Sequence, residues 1–173
     1  MTPVLYIVIP CYNEETVLPI TSGMFLEKLN SLIASEKVSS DSRILFINDG
    51  SSDSTWQIMS ALCERNEHFC CLGLSRNFGH QYALLAGLME ARSKADITIS
   101  IDCDGQDDIN AMDDMIEAYK NGADVVYGVR SDRHTDSFFK RSSALFFYKL
   151  MNKLGCNTVY NHADYRLLDR RFL

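Results

Sequence analysis

The run Ile99-Ser100-Ile101-Asp102-Cys103-Asp104-Gly105-Gln106 holds the densest chemistry in the chain: a short apolar stretch leads straight into Asp102, Asp104 and Gln106 at alternate positions. On an extended backbone, side chains two apart project to the same side. Two ionised carboxylates held that close repel each other, so the pattern is costly unless a cation, hydrogen-bond donors or water compensate it. A hard divalent cation does so best. An oxygen-only set with room for water and phosphate oxygens suits Mg2+ or Mn2+, whereas zinc would recruit cysteine and histidine. Taken alone, the same motif also fits an acidic, solvated turn at the end of a strand.

Four other polar segments follow apolar runs. Asp49 precedes Gly50, so its carboxylate could meet a base N–H or ribose hydroxyls while the glycine lets a ring or a backbone approach. A turn in which Asp49 bonds its own backbone fits equally. Pro10, Tyr12 and Glu14 stand after the first run, where Tyr12 could stack on a base or cover a sheet edge. Arg76, with Asn77 and Gly79, could reach a diphosphate or sugar, or be an ordinary surface arginine. Arg130, Arg133, Lys140 and Arg141 stand among small and apolar residues. Guanidinium forks match phosphate oxygens, so an anion site beside an acidic metal site makes chemical sense; a solvated basic loop is the alternative. Near the end, in His162-Ala163-Asp164-Tyr165-Arg166, Asp164 could be a base or orient an acceptor. A lone His162 is more often structural.

The elements that must position these groups are legible as alternation. Short apolar, β-branched runs at 4–9, 43–47, 70–74, 97–101 and 124–129 predict five strands. Helices are expected over 16–34, 54–66, 82–92 and 110–120, with Asp53 and Asn110 as N-caps and Gly122 at a C-cap. Strands that are apolar throughout, alternating with helices, indicate a mostly parallel sheet covered on both faces. Ligands bind at the carboxyl ends of such strands, where chain order reverses. A further segment, 142–154, has amphipathic spacing suited to packing on the sheet or lying on a membrane surface.

Composition narrows the function classes. With 173 residues, 46% of them hydrophobic, one core and a single domain spanning 1–173 are the default. The formal net charge of -6 argues against a nucleic-acid binder, whose affinity comes from clustered Lys and Arg. Six cysteines without CxxC spacing read as reduced cytosolic thiols rather than a zinc site or a disulfide framework. No apolar run approaches the ~20 residues that cross a bilayer. The closing Arg170-Arg171-Phe172-Leu173 lacks a finishing element, so truncation before a C-terminal membrane-associated region is expected.

Taken together the motifs resemble the inverting family-2 glycosyltransferases of GT-A type. Val8-Ile9-Pro10-Cys11-Tyr12-Asn13-Glu14 is similar to the family's opening, Asn48-Asp49-Gly50-Ser51-Ser52-Asp53 to its second motif and Asp102-Cys103-Asp104-Gly105-Gln106-Asp107 to its metal motif. Ser75-Arg76-Asn77-Phe78-Gly79-His80, the stretch 126–130, Lys140-Arg141 and the segment 163–171 narrow the resemblance to the polyprenyl-phosphate branch, which includes dolichol-phosphate mannose synthases. Three departures stand out: Asn48 for Asp, Asp107-Asp108-Ile109 for Asp-Pro-Pro, and Ala163 for Gly.

The resemblance implies a Rossmann-like three-layer α/β/α fold and Mg2+ or Mn2+ held by Asp102, Asp104 and Gln106. It implies a UDP- or GDP-sugar donor bound by Pro10, Tyr12, Glu14, Asp49, Arg76 and Asp102, with Asp104, Asp164 and Arg130 catalytic. A polyprenyl phosphate, already anionic, needs positive charge rather than a base, and Arg130, Arg133, Lys140, Arg141 and Arg166 would supply it. The expected setting is the cytoplasm or the cytoplasmic face of a membrane, in cell-envelope glycan synthesis. A saccharide hydroxyl acceptor, with Asp164 as base, and a non-catalytic nucleotide-sugar-binding module stay open, as does a homo-oligomer. A nucleotidyltransferase would carry a glycine-rich loop after the first strand, and residues 10–15 contain no glycine.

Overall fold

The computed structural model describes residues 2–129 and 162–173. Strands β1 (Leu5–Cys11), β2 (Arg43–Asn48), β3 (Phe69–Gly73), β4 (Ile97–Ser100) and β5 (Val125–Val129) occupy the five apolar runs. Helices α1 (Leu18–Ala34), α2 (Thr55–Arg65), α3 (His80–Ala91) and α4 (Ala111–Lys120) alternate with them. A sixth strand, β6 (His162–Asp169), was not expected, and a 3-10 turn at Arg170–Phe172 follows it. The sheet order is β3-β2-β1-β4-β6-β5; β1 to β4 are mutually parallel, and β6 pairs antiparallel with both neighbours. The mostly parallel sheet is therefore present, with one reversed strand inserted between β4 and β5.

Burial explains why the runs are apolar on every residue. All seven residues of β1 are buried, because α1, α2 and α4 cover one face of the sheet and α3 the other. Leu5, Ile7 and Ile9 join Phe25, Leu29, Met59 and Met112 on the first face. Tyr6 and Val8 join Leu45, Ile47, Ala83 and Leu84 on the second. Gly87 lets α3 lie close to that second face: a Cβ there would stand 2.5 Å from Ile47 Cδ1 and 2.6 Å from Val8 Cγ1.

The helix ends refine the expectations. Gly122 takes φ +101 after α4, its N–H donating to Tyr119 O while Ala123 N–H donates to Ala118 O, a Schellman closure. Asn110 holds the N-cap position of α4 but makes no side-chain cap bond; Asp108 accepts from its N–H instead. Ser54, not Asp53, is the N-cap residue of α2, although Asp53 Oδ1 accepts from Thr55 N at 3.0 Å. Helix α3 begins at His80, two residues earlier than its apolar spacing indicates.

Strand order reverses around β1: the chain steps outward through β2 and β3, then returns to place β4 on the other flank of β1. The carboxyl ends of β1 and β4 thus open onto a shared crevice. The five cysteines among the described residues are free thiols, and none of the described helices is long and apolar enough to cross a membrane. Segment 142–154 lies outside the described residues.

Candidate active site

The crevice is a cavity of about 450 Å³, a size suited to a nucleotide-sized ligand. It is lined from β1 by Pro10, Cys11, Tyr12 and Glu14, from β2 by Asp49, from the start of α3 by Asn77, Gly79 and His80, and from β4 by Asp102 and Asp104. Asp164 of β6 closes the remaining side.

The first wall is stitched between two loops. Asn13 N–H donates to Ser51 Oγ and Glu14 N–H to Thr55 Oγ1, while Asn13 Oδ1 accepts from Ser52 N–H and Glu15 Oε2 from Ser54 N–H. These bonds hold Tyr12, 47% exposed, at the mouth with Glu14 behind it. Burial raises the pKa of Glu14 above its ordinary value, and the charges of Asp104, Asp53 and Asp102 add to the rise.

Asp49 is 3% exposed, and its two oxygens accept from Phe78 N–H at 2.8 Å and Gly79 N–H at 2.9 Å. It bonds the loop that starts α3 rather than its own turn. That turn is closed by Asn48, whose Oδ1 accepts from Ser51 N–H. Gly50, at φ +65, is required by contact as well as by conformation, since a Cβ there would meet Arg76 C at 2.3 Å.

Beyond β4, Cys103 is buried at 3% exposure and packs with the core while lining the cavity alongside Asp102 and Asp104. Burial raises the pKa of Asp102; Asp107, Asp104 and Asp164 push the same way and His80 opposes them. Asp104 Oδ1 accepts from Gln106 N–H at 3.0 Å, a tight turn made by Gly105 at φ +70. The loop is pinned from below by Tyr165, whose hydroxyl donates to Asp108 O at 3.1 Å.

Asp164 carries the most donors. Its Oδ2 accepts from Gln81 Nε2 at 2.9 Å and lies 3.0 Å from His80 Nε2, and its Oδ1 accepts from Arg166 Nη2 at 2.9 Å. Its main-chain carbonyl accepts from Ser100 Oγ at 2.5 Å, which fixes β6 to β4 at this point.

The structure gathers Pro10, Tyr12, Glu14, Asp49, Asp102, Asp104 and Asp164 around one cavity. Gln106 is exposed and Arg76 stacks over the Phe78 ring at 4.8 Å; neither lines the cavity. Arg166 reaches it through Asp164. Arg130, Arg133, Lys140 and Arg141 lie outside the described residues. Asn77 and Gly79, read with Arg76 toward a diphosphate or sugar, do line the cavity, while His80 and the buried Cys11 line it without having been singled out from sequence. His80 opens the helix after the third polar loop, so a strand-end loop carrying a histidine was the available signal.

Among the described residues, Glu14, Asp49, Asp102, Asp104 and Asp164 outnumber the basic groups of the lining, of which His80 is the one present. A phosphate would be repelled there unless a cation came with it. Among the described residues no three His, Cys, Asp or Glu side chains converge as a metal cluster. Two carboxylates with open positions are instead the donor set that Mg2+ or Mn2+ accepts when water and substrate phosphates complete the shell.

A sequence model described as Glycosyl transferase family 2 matches residues 6–173. The chain is 50% identical over 171 residues to Uncharacterized glycosyltransferase YkoT of Bacillus subtilis (strain 168), covering 99% of this chain and 51% of that protein. It is 41% identical over 165 residues to Prophage bactoprenol glucosyl transferase homolog of Escherichia coli (strain K12), covering 95% of this chain and 51% of that one. The chain thus spans about half the length of the curated relatives it matches. Among solved structures, glucosyl-3-phosphoglycerate synthase from Mycobacterium tuberculosis in complex with Mn2+, uridine-diphosphate and glucosyl-3-phosphoglycerate shares the fold, with TM-score 0.65, 18% identity and coverage of 99% of this chain and 58% of that chain.

Proposed function

Because the chain belongs to glycosyl transferase family 2, we propose that it transfers a sugar, with inversion, from a UDP- or GDP-sugar to a polyprenyl phosphate, using Mg2+ or Mn2+ at Asp102 and Asp104. The observation that carries this assignment is the cavity between β1 and β4, where Asp102 and Asp104 face Glu14 and Asp49 at the reversal of strand order. The ion, when bound, supplies charge to offset that growing on the departing diphosphate. Tyr12 and Glu14, on their stitched loop, would hold the nucleoside, with Asp49 beneath it.

Acceptor chemistry is argued from Asp164. An oxygen of the acceptor phosphate bonds to the anomeric carbon as the bond to the diphosphate oxygen breaks, and the electron pair leaves with the nucleoside diphosphate. An anionic phosphate brings no proton that must be removed, whereas a sugar hydroxyl does. Asp164 already faces Gln81, His80 and Arg166, so it is better arranged to orient groups than to accept a hydroxyl proton. The relative named as a bactoprenol glucosyl transferase homolog supports a lipid-phosphate acceptor. The structural neighbour, solved in complex with Mn2+ and uridine-diphosphate, supports the donor and the ion.

Calorimetric titration with UDP and GDP, with and without MnCl2, tests the donor half. One nucleotide is expected to bind in a Mn2+-dependent manner, and Asp104→Ala to remove that dependence. Release of the same nucleoside diphosphate from its sugar on addition of a polyprenyl phosphate tests the acceptor half; release only with a saccharide acceptor would transfer the assignment to hydroxyl chemistry. If neither nucleotide binds and Asp104→Ala changes nothing, the assignment fails.

A further inference from the structure

His80 stands between the two halves of the cavity. Its Nε2 is 3.0 Å from Asp164 Oδ2 and 3.7 Å from Asp102 Oδ1, the first a hydrogen-bond distance and the second just beyond one. Asp164 in turn holds Arg166 through Oδ1 at 2.9 Å. One ion-pair contact and two hydrogen-bond contacts, Asp102 to His80 to Asp164 to Arg166, therefore join a carboxylate of the cavity to a guanidinium just beyond its lining. Gln81 also donates to Asp164 but does not line the cavity, so it anchors that carboxylate without reaching Asp102.

The imidazole projects from a fixed point. His80 is the first residue of α3, and the two residues before it are held by the Asp49 carboxylate through Phe78 N–H and Gly79 N–H. The ring is 42% exposed, and its distances to the two carboxylates differ, 3.7 Å against 3.0 Å.

We propose that His80 is a positioning residue that couples loading of the donor to capture of the acceptor phosphate, a role that rests on the sugar-transfer reading given above. An Nε2–H group bonds one acceptor well at a time. When the donor and its ion occupy the Asp102 oxygens, the imidazole is left to Asp164 alone, and Asp164 then holds Arg166 in one orientation toward the incoming phosphate. With the donor absent, the imidazole keeps its hydrogen bond to Asp164 but is also drawn by the Asp102 charge 3.7 Å away, and Arg166 is held less narrowly. Coupling of this kind is reciprocal: acceptor phosphate must tighten donor binding by the same factor.

The test is a binding cycle on the intact protein. MnCl2 with UDP or GDP, whichever binds, is titrated in the absence and presence of farnesyl phosphate as a short polyprenyl phosphate. Wild type is expected to gain about 5-fold or more in affinity for each ligand when the other is bound, the lower end of ordinary coupling. His80→Ala should bring that factor to about 1 and raise KM for farnesyl phosphate at saturating donor more than KM for the donor. His80→Gln, which keeps a side-chain N–H, should recover part of the factor. Melting temperature checks that both variants fold, as expected for a half-exposed helix-start residue. Independent binding of the two ligands by wild type, or coupling that survives in His80→Ala, overturns the role of His80 while leaving sugar transfer intact. Wild type that binds neither nucleotide with Mn2+ overturns both.

Discussion

The carboxylate of Asp49 accepts from Gly79 N–H at 2.9 Å and from Phe78 N–H at 2.8 Å, so a side chain at the end of β2 holds the backbone that starts α3. The first turn of a helix has orphan N–H groups, and an anion there is favoured by the helix dipole as well as by the bonds themselves. Asp49→Asn is predicted to lower stability by about 1–3 kcal/mol, because the amide would turn an N–H toward one of two donors and leave it unpaired in a buried site. Urea unfolding measures the change. A residue that served the nucleoside alone would leave the unfolding midpoint of the ligand-free protein where it was.

Two glycines on helices should respond to alanine with opposite signs. Gly23 of α1 is exposed, and a Cβ there meets nothing within 4 Å, so Gly23→Ala should stabilise by about 0.5–1 kcal/mol through helix propensity and a less free unfolded chain. A Cβ at Gly87 would press against Ile47 and Val8, both fully buried. Gly87→Ala should therefore destabilise by roughly 1–3 kcal/mol, the cost of overpacking, less what propensity returns. Thermal unfolding of the two variants side by side reads both signs, and a stabilising Gly87→Ala would mean that α3 is not seated as closely as described.

Lys28 of α1 and Asp113 of α4 form an ion pair that Lys37 joins at 2.5 Å, tying two helices on one face of the sheet. Partial burial pushes the Asp113 carboxyl up, but the hydrogen bonds and charges of Lys28 and Lys37 outweigh it, and its pKa falls below the ordinary 3.8. A carboxylate with a depressed folded pKa contributes stability above its unfolded value and loses it as pH falls through the folded one. Asp113→Asn should thus cost up to about 1 kcal/mol at neutral pH, with the difference from wild type closing below pH 3.8 and shrinking in salt. Denaturant melts at neutral and acid pH, each with and without added NaCl, follow it.

The parts legible from sequence were those fixed by local pattern. Apolar runs located β1 to β5, of which β1, β2 and β4 are almost wholly buried while β3 and β5 are partly exposed, and the polar loops after them held Tyr12, Asp49 and Asp102 because strand ends are where this topology opens. Strand β6 escaped notice since its eight residues include His162, Asp164, Arg166 and Asp169, and its extended form comes from antiparallel pairing to β4 and β5. Such pairing joins segments far apart in sequence, which no window of residues contains. Arg76 could be read toward a diphosphate because its residue type fits one, but its guanidinium stacks on Phe78, two residues on, a loop geometry that residue type does not reveal. Gln106 matched the alternation of Asp102 and Asp104, but the positive φ of Gly105 ends the extended backbone on which that alternation depends.

Asp102 offers a test in which function and stability part company. Burial, with the charges of Asp107, Asp104 and Asp164, raises its pKa above the ordinary 3.8, and the opposing pull of His80 does not cancel them. The folded protein therefore binds more protons than the unfolded chain as pH climbs from 3.8 to the raised value, and over that window stability falls. Above it the full penalty of a buried, crowded anion is carried. In the metal-free protein, Asp102→Asn removes that penalty, so at neutral pH the variant should unfold at a higher urea concentration than wild type, and below pH 3.8, where both forms are uncharged at this position, the gap should close. Addition of MnCl2 with the nucleotide that binds reverses the order, since a ligand held by the folded state alone stabilises it and the variant has lost a carboxylate toward the ion. A variant less stable than wild type in EDTA at neutral pH would mean that Asp102 is compensated within the fold, and that the crowding of carboxylates around the cavity exerts no strain for a cation to relieve.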